Sequence, residues 1–133
     1  MLVRRLHGKV QRALVSELRR RKLHPANGRL HGGIGPDLYL RGKDGRMSSL
    51  FEIKVGRDAQ STFTALGQLI VYSAHNGATE PHRILVTQGL PKSKLFATAF
   101  SQYGIEVIFY ELGSGVRFKN LPDVLDAQSP GQN

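Results

Sequence analysis

The chain has 133 residues, 40% of them hydrophobic, which is enough for one layered core and leaves little room for a second. It has no cysteine, which excludes disulfides, thiolate nucleophiles and cysteine–zinc sites and fits a reducing cytoplasm. Nineteen Lys and Arg against ten Asp and Glu give a net charge of +9, so the expected partner is a polyanion, nucleic acid ahead of anionic membrane.

In chain order, the spacing of Val3, Leu6, Val10, Ala13, Leu14 and Leu18 predicts an amphipathic helix from Val3 to about Lys22. Arg4, Arg5, Lys9, Arg12, Arg19 and Arg20 flank or oppose its apolar stripe, and Pro25-Ala26-Asn27-Gly28 marks the stop. Leu38 to Arg41 and Leu50 to Val55 read as a hairpin, joined by Gly42-Lys43-Asp44-Gly45 with its Asp-Gly turn signal. A second helix is expected from Thr62 to Ala74, with Phe63, Leu66, Ile70 and Ala74 on one face. Then come a strand at Arg83 to Thr87, a helix at Lys92 to Tyr103, and the strongest strand signal, Ile105 to Glu111. A last short strand is expected at Val116 to Lys119 after Gly113-Ser114-Gly115. Helix, hairpin, helix, strand, helix, strand implies an α/β domain with a mixed central sheet flanked by helices. Its span is read as 1–126, with 127–133 as a polar tail that frays. No apolar run approaches a membrane span, and Met1 to Arg5 lack the apolar segment of a secretory signal, so a cytoplasmic protein without membrane association is expected.

Chemistry concentrates in the hairpin. Alternate residues of a strand share a face, so Phe51, Ile53 and Val55 point one way and Glu52 and Lys54 the other. Asp37 opens the partner strand and comes near Glu52. Two adjacent carboxylates repel unless a cation lies between them, and a hard divalent ion suits oxygen ligands. On a helical wheel Glu17 falls inside the apolar arc of the first helix. It either pairs with a local arginine at the edge of the stripe or faces the Asp37–Glu52 site. Gln68, set among Leu66, Leu69, Ile70 and Val71, is either solvated or a polar group admitted for a purpose. His24, His31, His75 and His82 have no metal-ligand spacing and read as surface residues, and Gly32, Gly33 and Gly35 complete no phosphate-loop pattern.

Pro36-Asp37, fourteen residues, Glu52-Ile53-Lys54, and a helix carrying Gln68-Leu69-Ile70-Val71-Tyr72 together resemble the PD-(D/E)xK nuclease superfamily, over roughly Glu17 to Ile108. The family includes restriction endonucleases and Holliday junction resolvases. The resemblance implies a restriction-endonuclease-like fold and Mg²⁺- or Mn²⁺-dependent hydrolysis of phosphodiesters, in DNA first. It implies Asp37, Glu52 and the Ile53 carbonyl as metal ligands and Lys54 as the group that positions the attacking water. Glu17 matches the acid of the first helix, a further metal ligand in many members, and Gln68 the polar residue of the helix after the motif. Arg19, Arg20, Arg21 and Lys22, with Arg41 and Arg57, are the candidates for gripping nucleic acid. Cutting both strands of a duplex with so small a chain favours a homodimer.

Two rivals stand beside this reading. One is an inactive nucleic-acid-binding module of the same fold, which has no need of Asp37, Glu52 and Lys54 together. The other is a membrane-surface protein bound through its first helix. Polar residues on that helix's apolar face and its lack of aromatic anchors speak against it.

Overall fold

The structure, a computed structural model, describes residues 2–27, 35–77 and 79–128. Expectations for His31, Gly32, Gly33 and the tail beyond Gln128 fall outside the described residues. In order the elements are α1 (Leu2–Arg20), β1 (Pro25–Ala26), β2 (Leu38–Arg41), β3 (Met47–Lys54), α2 (Ala59–Ser73), β4 (His82–Thr87), α3 (Lys94–Gln102), β5 (Ile105–Leu112), β6 (Val116–Phe118) and α4 (Leu121–Gln128). The six strands form one mixed sheet in sequential order. The β1–β2, β2–β3 and β5–β6 pairs are antiparallel; β3–β4 and β4–β5 are parallel. The parallel steps are made by α2 and α3, which pack on one face of the sheet; α1 and α4 cover the other. This is the expected α/β architecture.

Two cores result. Val10, Leu14 and Leu18 of α1 meet Leu38, Leu40, Phe51, Ile53, Ile84, Val86, Ile108 and Tyr110 on one side. Leu50, Ala65, Leu69, Leu85, Phe100 and Ile105 fill the other. Strand parity in β3 is as the sequence implies: Phe51 and Ile53 face α1, and Leu50 faces α2. The hairpin turn is also as expected. Gly45 takes φ 82°, which an L side chain resists, and Asp44 Oδ1 accepts the Arg46 N–H at 3.0 Å.

Several boundaries differ for physical reasons. The first helix stops before Pro25, because Lys22 turns left-handed (φ 65°) and the Leu23 N–H reaches back to the Leu18 carbonyl at 3.0 Å. Pro25–Ala26 then pair with β2 as an edge strand. The second helix starts three residues early because Asp58 caps it, accepting the Ser61 N–H at 2.9 Å. β3 starts at Met47, held there by Asn76, whose amide accepts the Met47 N–H at 3.2 Å and donates to the Met47 carbonyl at 2.7 Å. The eight residues Leu121–Gln128, which carry no periodic signal in the sequence, are α4, and two residues of the expected tail continue that helix.

The buried face of α2 is a correction. It is Thr62, Ala65, Leu69 and Ser73, not Phe63, Leu66, Ile70 and Ala74; Phe63 is 56% exposed and Ile70 41%. The two hydroxyls can be buried because each bonds a carbonyl one turn back: Thr62 to Asp58 at 3.1 Å and Ser73 to Leu69 at 2.6 Å. Local satisfaction of this kind is invisible to a count of apolar residues.

Candidate active site

The site forms where β2 begins and β3 ends. In the antiparallel register Leu38 opposes Phe51, so Asp37 stands one step beyond the last paired residue and faces Glu52. β3 continues to Lys54 alongside β4, with Glu52 opposite Leu85 and Lys54 opposite Thr87. Ligand crevices in open α/β sheets lie at such carboxyl ends of parallel strands. By alternation Glu52 and Lys54 share the face of Leu50, as the sequence implies.

Asp37 is held from two sides. The Ile53 N–H donates to Asp37 Oδ2 at 2.8 Å, and His7 Nε2 lies 3.0 Å from the same oxygen. Gln11 Nε2 donates to the Asp37 carbonyl at 3.0 Å. A residue's N–H and C=O point to the same edge of a strand, so the Ile53 carbonyl also faces the Asp37 side, past the end of β2. Glu52 is 2% exposed, and its Oε2 has no hydrogen-bond partner among the described residues.

The two carboxyls are driven apart in acidity. Burial, then the charge of Asp37, pushes Glu52 up to about 9, and the nearby Lys54 charge opposes this only in part. Burial also acts to raise Asp37, but hydrogen bonds from His7, Glu52 and the Ile53 N–H outweigh it, so Asp37 ends below its ordinary range. The surroundings therefore favour the proton of the pair on Glu52 and the negative charge on Asp37.

Of the other expected residues, Gln68 is partly buried, and its Oε1 likewise lacks a partner among the described residues. Glu52 Oε2 and Gln68 Oε1 are the buried side-chain atoms so orphaned there, and both belong to residues that the sequence singles out. Lys54 is half-buried, its carbonyl accepting from the Tyr110 hydroxyl at 3.2 Å. Arg57 lies against Gly89, beside the strand ends that bear the site.

Glu17 is a correction. It pairs with Arg20 at 3.2 Å. At a rise of about 1.5 Å per residue it lies about 15 Å along α1 from His7. The helix delivers His7 and Gln11 to Asp37 instead. The signal was present: both stand at helical spacing from Leu14 and Leu18, on the buried arc, where a polar side chain needs a partner. Arg19 to Lys22 are exposed still farther along. Arg41 sits at the end of β2 remote from Asp37, over the Tyr39 ring at 5.7 Å. His24, His75 and His82 are exposed, as expected.

No family model matches the chain, and no curated protein sequence matches it. Its fold is similar to that of a repair endonuclease. The crystal structure is that of a repair endonuclease from Pyrococcus abyssi, with TM-score 0.55 and 16% identity over 75% of this chain. The chain spans 44% of the length of that endonuclease. The likeness carries the fold: a nuclease-like arrangement of sheet and helices, on which the carboxylate pair sits. Among the described residues no helix is long and apolar enough to cross a membrane.

Proposed function

We propose that this protein is a divalent-metal-dependent nuclease of the PD-(D/E)xK type, hydrolysing phosphodiester bonds of nucleic acid, DNA first, with low intrinsic sequence specificity. The observation that carries the reading is the orphaned Glu52 Oε2, buried beside Asp37 on the face that also bears Lys54. A buried, unpartnered acceptor costs about 1–3 kcal/mol. A fold that keeps one next to a second carboxylate is better explained by a ligand than by packing.

The donor set fits a hard divalent cation. Among the described residues no group of three or more His, Cys, Asp or Glu side chains is arranged to hold a metal. Mg²⁺ needs less: one or two carboxylates, with water completing its octahedron. Asp37 and Glu52 would hold it, with the Ile53 carbonyl as a third oxygen. Bound there, the cation supplies an acidified water and offsets the charge that builds on the scissile phosphate.

The protein's own residues do the rest. Glu52 would release its proton to solvent on holding a cation. His7 and the Ile53 N–H hold Asp37 Oδ2, and Gln11 holds its backbone, so the ligand geometry is set in advance. Lys54 holds the water in line and donates to a phosphate oxygen. Gln68, with its own orphaned oxygen, orients water or sugar from α2. Two copies of the chain, one per strand, would cut a duplex.

The test is cleavage of plasmid, linear duplex, branched DNA and RNA with Mg²⁺, Mn²⁺ or EDTA. The reading expects cleavage with either metal and none in EDTA. Binding without turnover on every substrate would leave the inactive module of the same fold.

A further inference from the structure

α1 is an unfavourable helix on electrostatic grounds. It carries Arg4, Arg5, Lys9, Arg12, Arg19 and Arg20 against one acid, Glu17, a net +5 within a chain of +9. Its first turn holds no acid, so Arg4 and Arg5 stand at the positive end of the helix dipole. Arg5, Lys9 and Arg12 are like-charged neighbours a turn apart, which destabilises a helix. The one acid is already paired with Arg20. Nothing in the packing requires this, because all six cations are exposed while Val10, Leu14 and Leu18 fill the core behind them. A local rule broken without a structural return is where function is to be sought.

The cations are ordered. At about 100° per residue, Arg5, Lys9, Arg12, Arg19 and Arg20 fall within an arc of about 100° and rise about 22 Å along the axis. The row looks away from the sheet, because His7 and Gln11, which bond Asp37, stand on the opposite side of the helix. Arg12 lies back along the helix: a Cβ on Gly8 would stand 3.2 Å from its Nη1, so the bare glycine leaves room for the guanidinium.

We propose that the solvent face of α1 binds the sugar–phosphate backbone of double-stranded nucleic acid. The binding does not rest on the nuclease reading. Single strands are held by cations interleaved with aromatic faces. α1 contains no aromatic residue, and the exposed rings Phe63 and Tyr103 belong to α2 and the end of α3, across the sheet. A row of cations without stacking platforms reads backbone alone, and about 22 Å spans six or seven base-pair steps of about 3.4 Å.

The test is fluorescence anisotropy in EDTA with a DNA duplex of about 20 base pairs and a single strand of equal length, titrated with salt. One variant combines Arg5→Gln, Lys9→Gln, Arg12→Gln and Arg19→Gln. A control removes the same charge elsewhere, with Lys43→Gln, Arg46→Gln, Lys92→Gln and Lys94→Gln. The α1 variant should flatten the slope of log K against log salt by about 3–4 and weaken duplex binding on the order of a thousandfold near 0.1 M salt. The control should keep the slope within about one unit of the parent. Equal losses in the two variants, an unchanged slope in the α1 variant, or tighter binding of the single strand would each overturn the proposal. Because the assay contains no metal, it is independent of cleavage. A flattened slope beside a parent that cuts nothing would leave the binding face standing and remove the nuclease, and an unchanged slope beside a parent that cuts would do the reverse.

Discussion

Glu52→Gln should make the metal-free protein more stable at neutral pH, by an amount that grows with pH. In the native state Glu52 is raised from 4.5 to about 9, first by burial and then by Asp37. Stability from its proton is full below about 4.5 and is lost as pH rises through about 9. Between those limits the unfolded chain has released the proton and the native state keeps it, so stability falls with rising pH. The slope is about 1.4 kcal/mol per pH unit, or about 2.7 kcal/mol from pH 6 to pH 8. Asp37, held below its ordinary range, is ionised throughout that window and adds nothing to the slope. Glutamine keeps the shape and can still donate to Asp37, but it does not titrate. Urea unfolding of both proteins in EDTA, at several pH values from about 6 to about 8, isolates Glu52, because every other group is shared. The stability difference should widen by about 2–3 kcal/mol across the series. Parallel curves would mean that Glu52 is ionised at neutral pH and that the pair shares no proton.

Three further outcomes follow from named contacts. Lys54→Ala should abolish cleavage while leaving duplex affinity within about threefold, since one cation among many adds little to phosphate attraction; cleavage at the parental rate would end its assigned role. His7→Ala, which removes a donor from Asp37 Oδ2, should lower single-turnover cleavage about 10–100-fold, whereas Glu17→Ala, far along the helix, should leave it unchanged. A reversed order would return Glu17 to the site. Asn76→Ala strands the buried N–H and carbonyl of Met47 at the start of β3 and should cost about 2–4 kcal/mol in urea unfolding, against less than about 1 kcal/mol if water replaces the amide.

How far the sequence could be read depended on whether a residue's neighbours were local. Asp44-Gly45 specified its own turn, and with the turn came the hairpin register and the shared face of Glu52 and Lys54. The stripe of Val10, Leu14 and Leu18 specified the buried side of α1. The same wheel could not rank Glu17 against His7 and Gln11, because all three border that stripe. Only the placement of β2 under the N-terminal half of the helix decides which of them meets Asp37. α2 misled for a related reason: Thr62 and Ser73 hide their hydroxyls in its own backbone and so pass as core. α4 is a short helix with Leu121, Val124 and Leu125 on one side and Pro122 in its first turn, where the missing N–H costs nothing. Its apolar residues are too few for a periodic signal, and its partners lie on distant strands.

The central claim, that Asp37 and Glu52 are kept together to hold a divalent cation, is tested most directly by calorimetric titration of Mn²⁺ into the parent and the Asp37→Asn variant near pH 7.5, in two buffers of different ionisation enthalpy. The parent should bind one ion at this pair and release about one proton, the one that burial and Asp37 keep on Glu52. The variant should lose that binding and that proton. Equal binding in both proteins, or binding by the parent without proton release, would contradict the account.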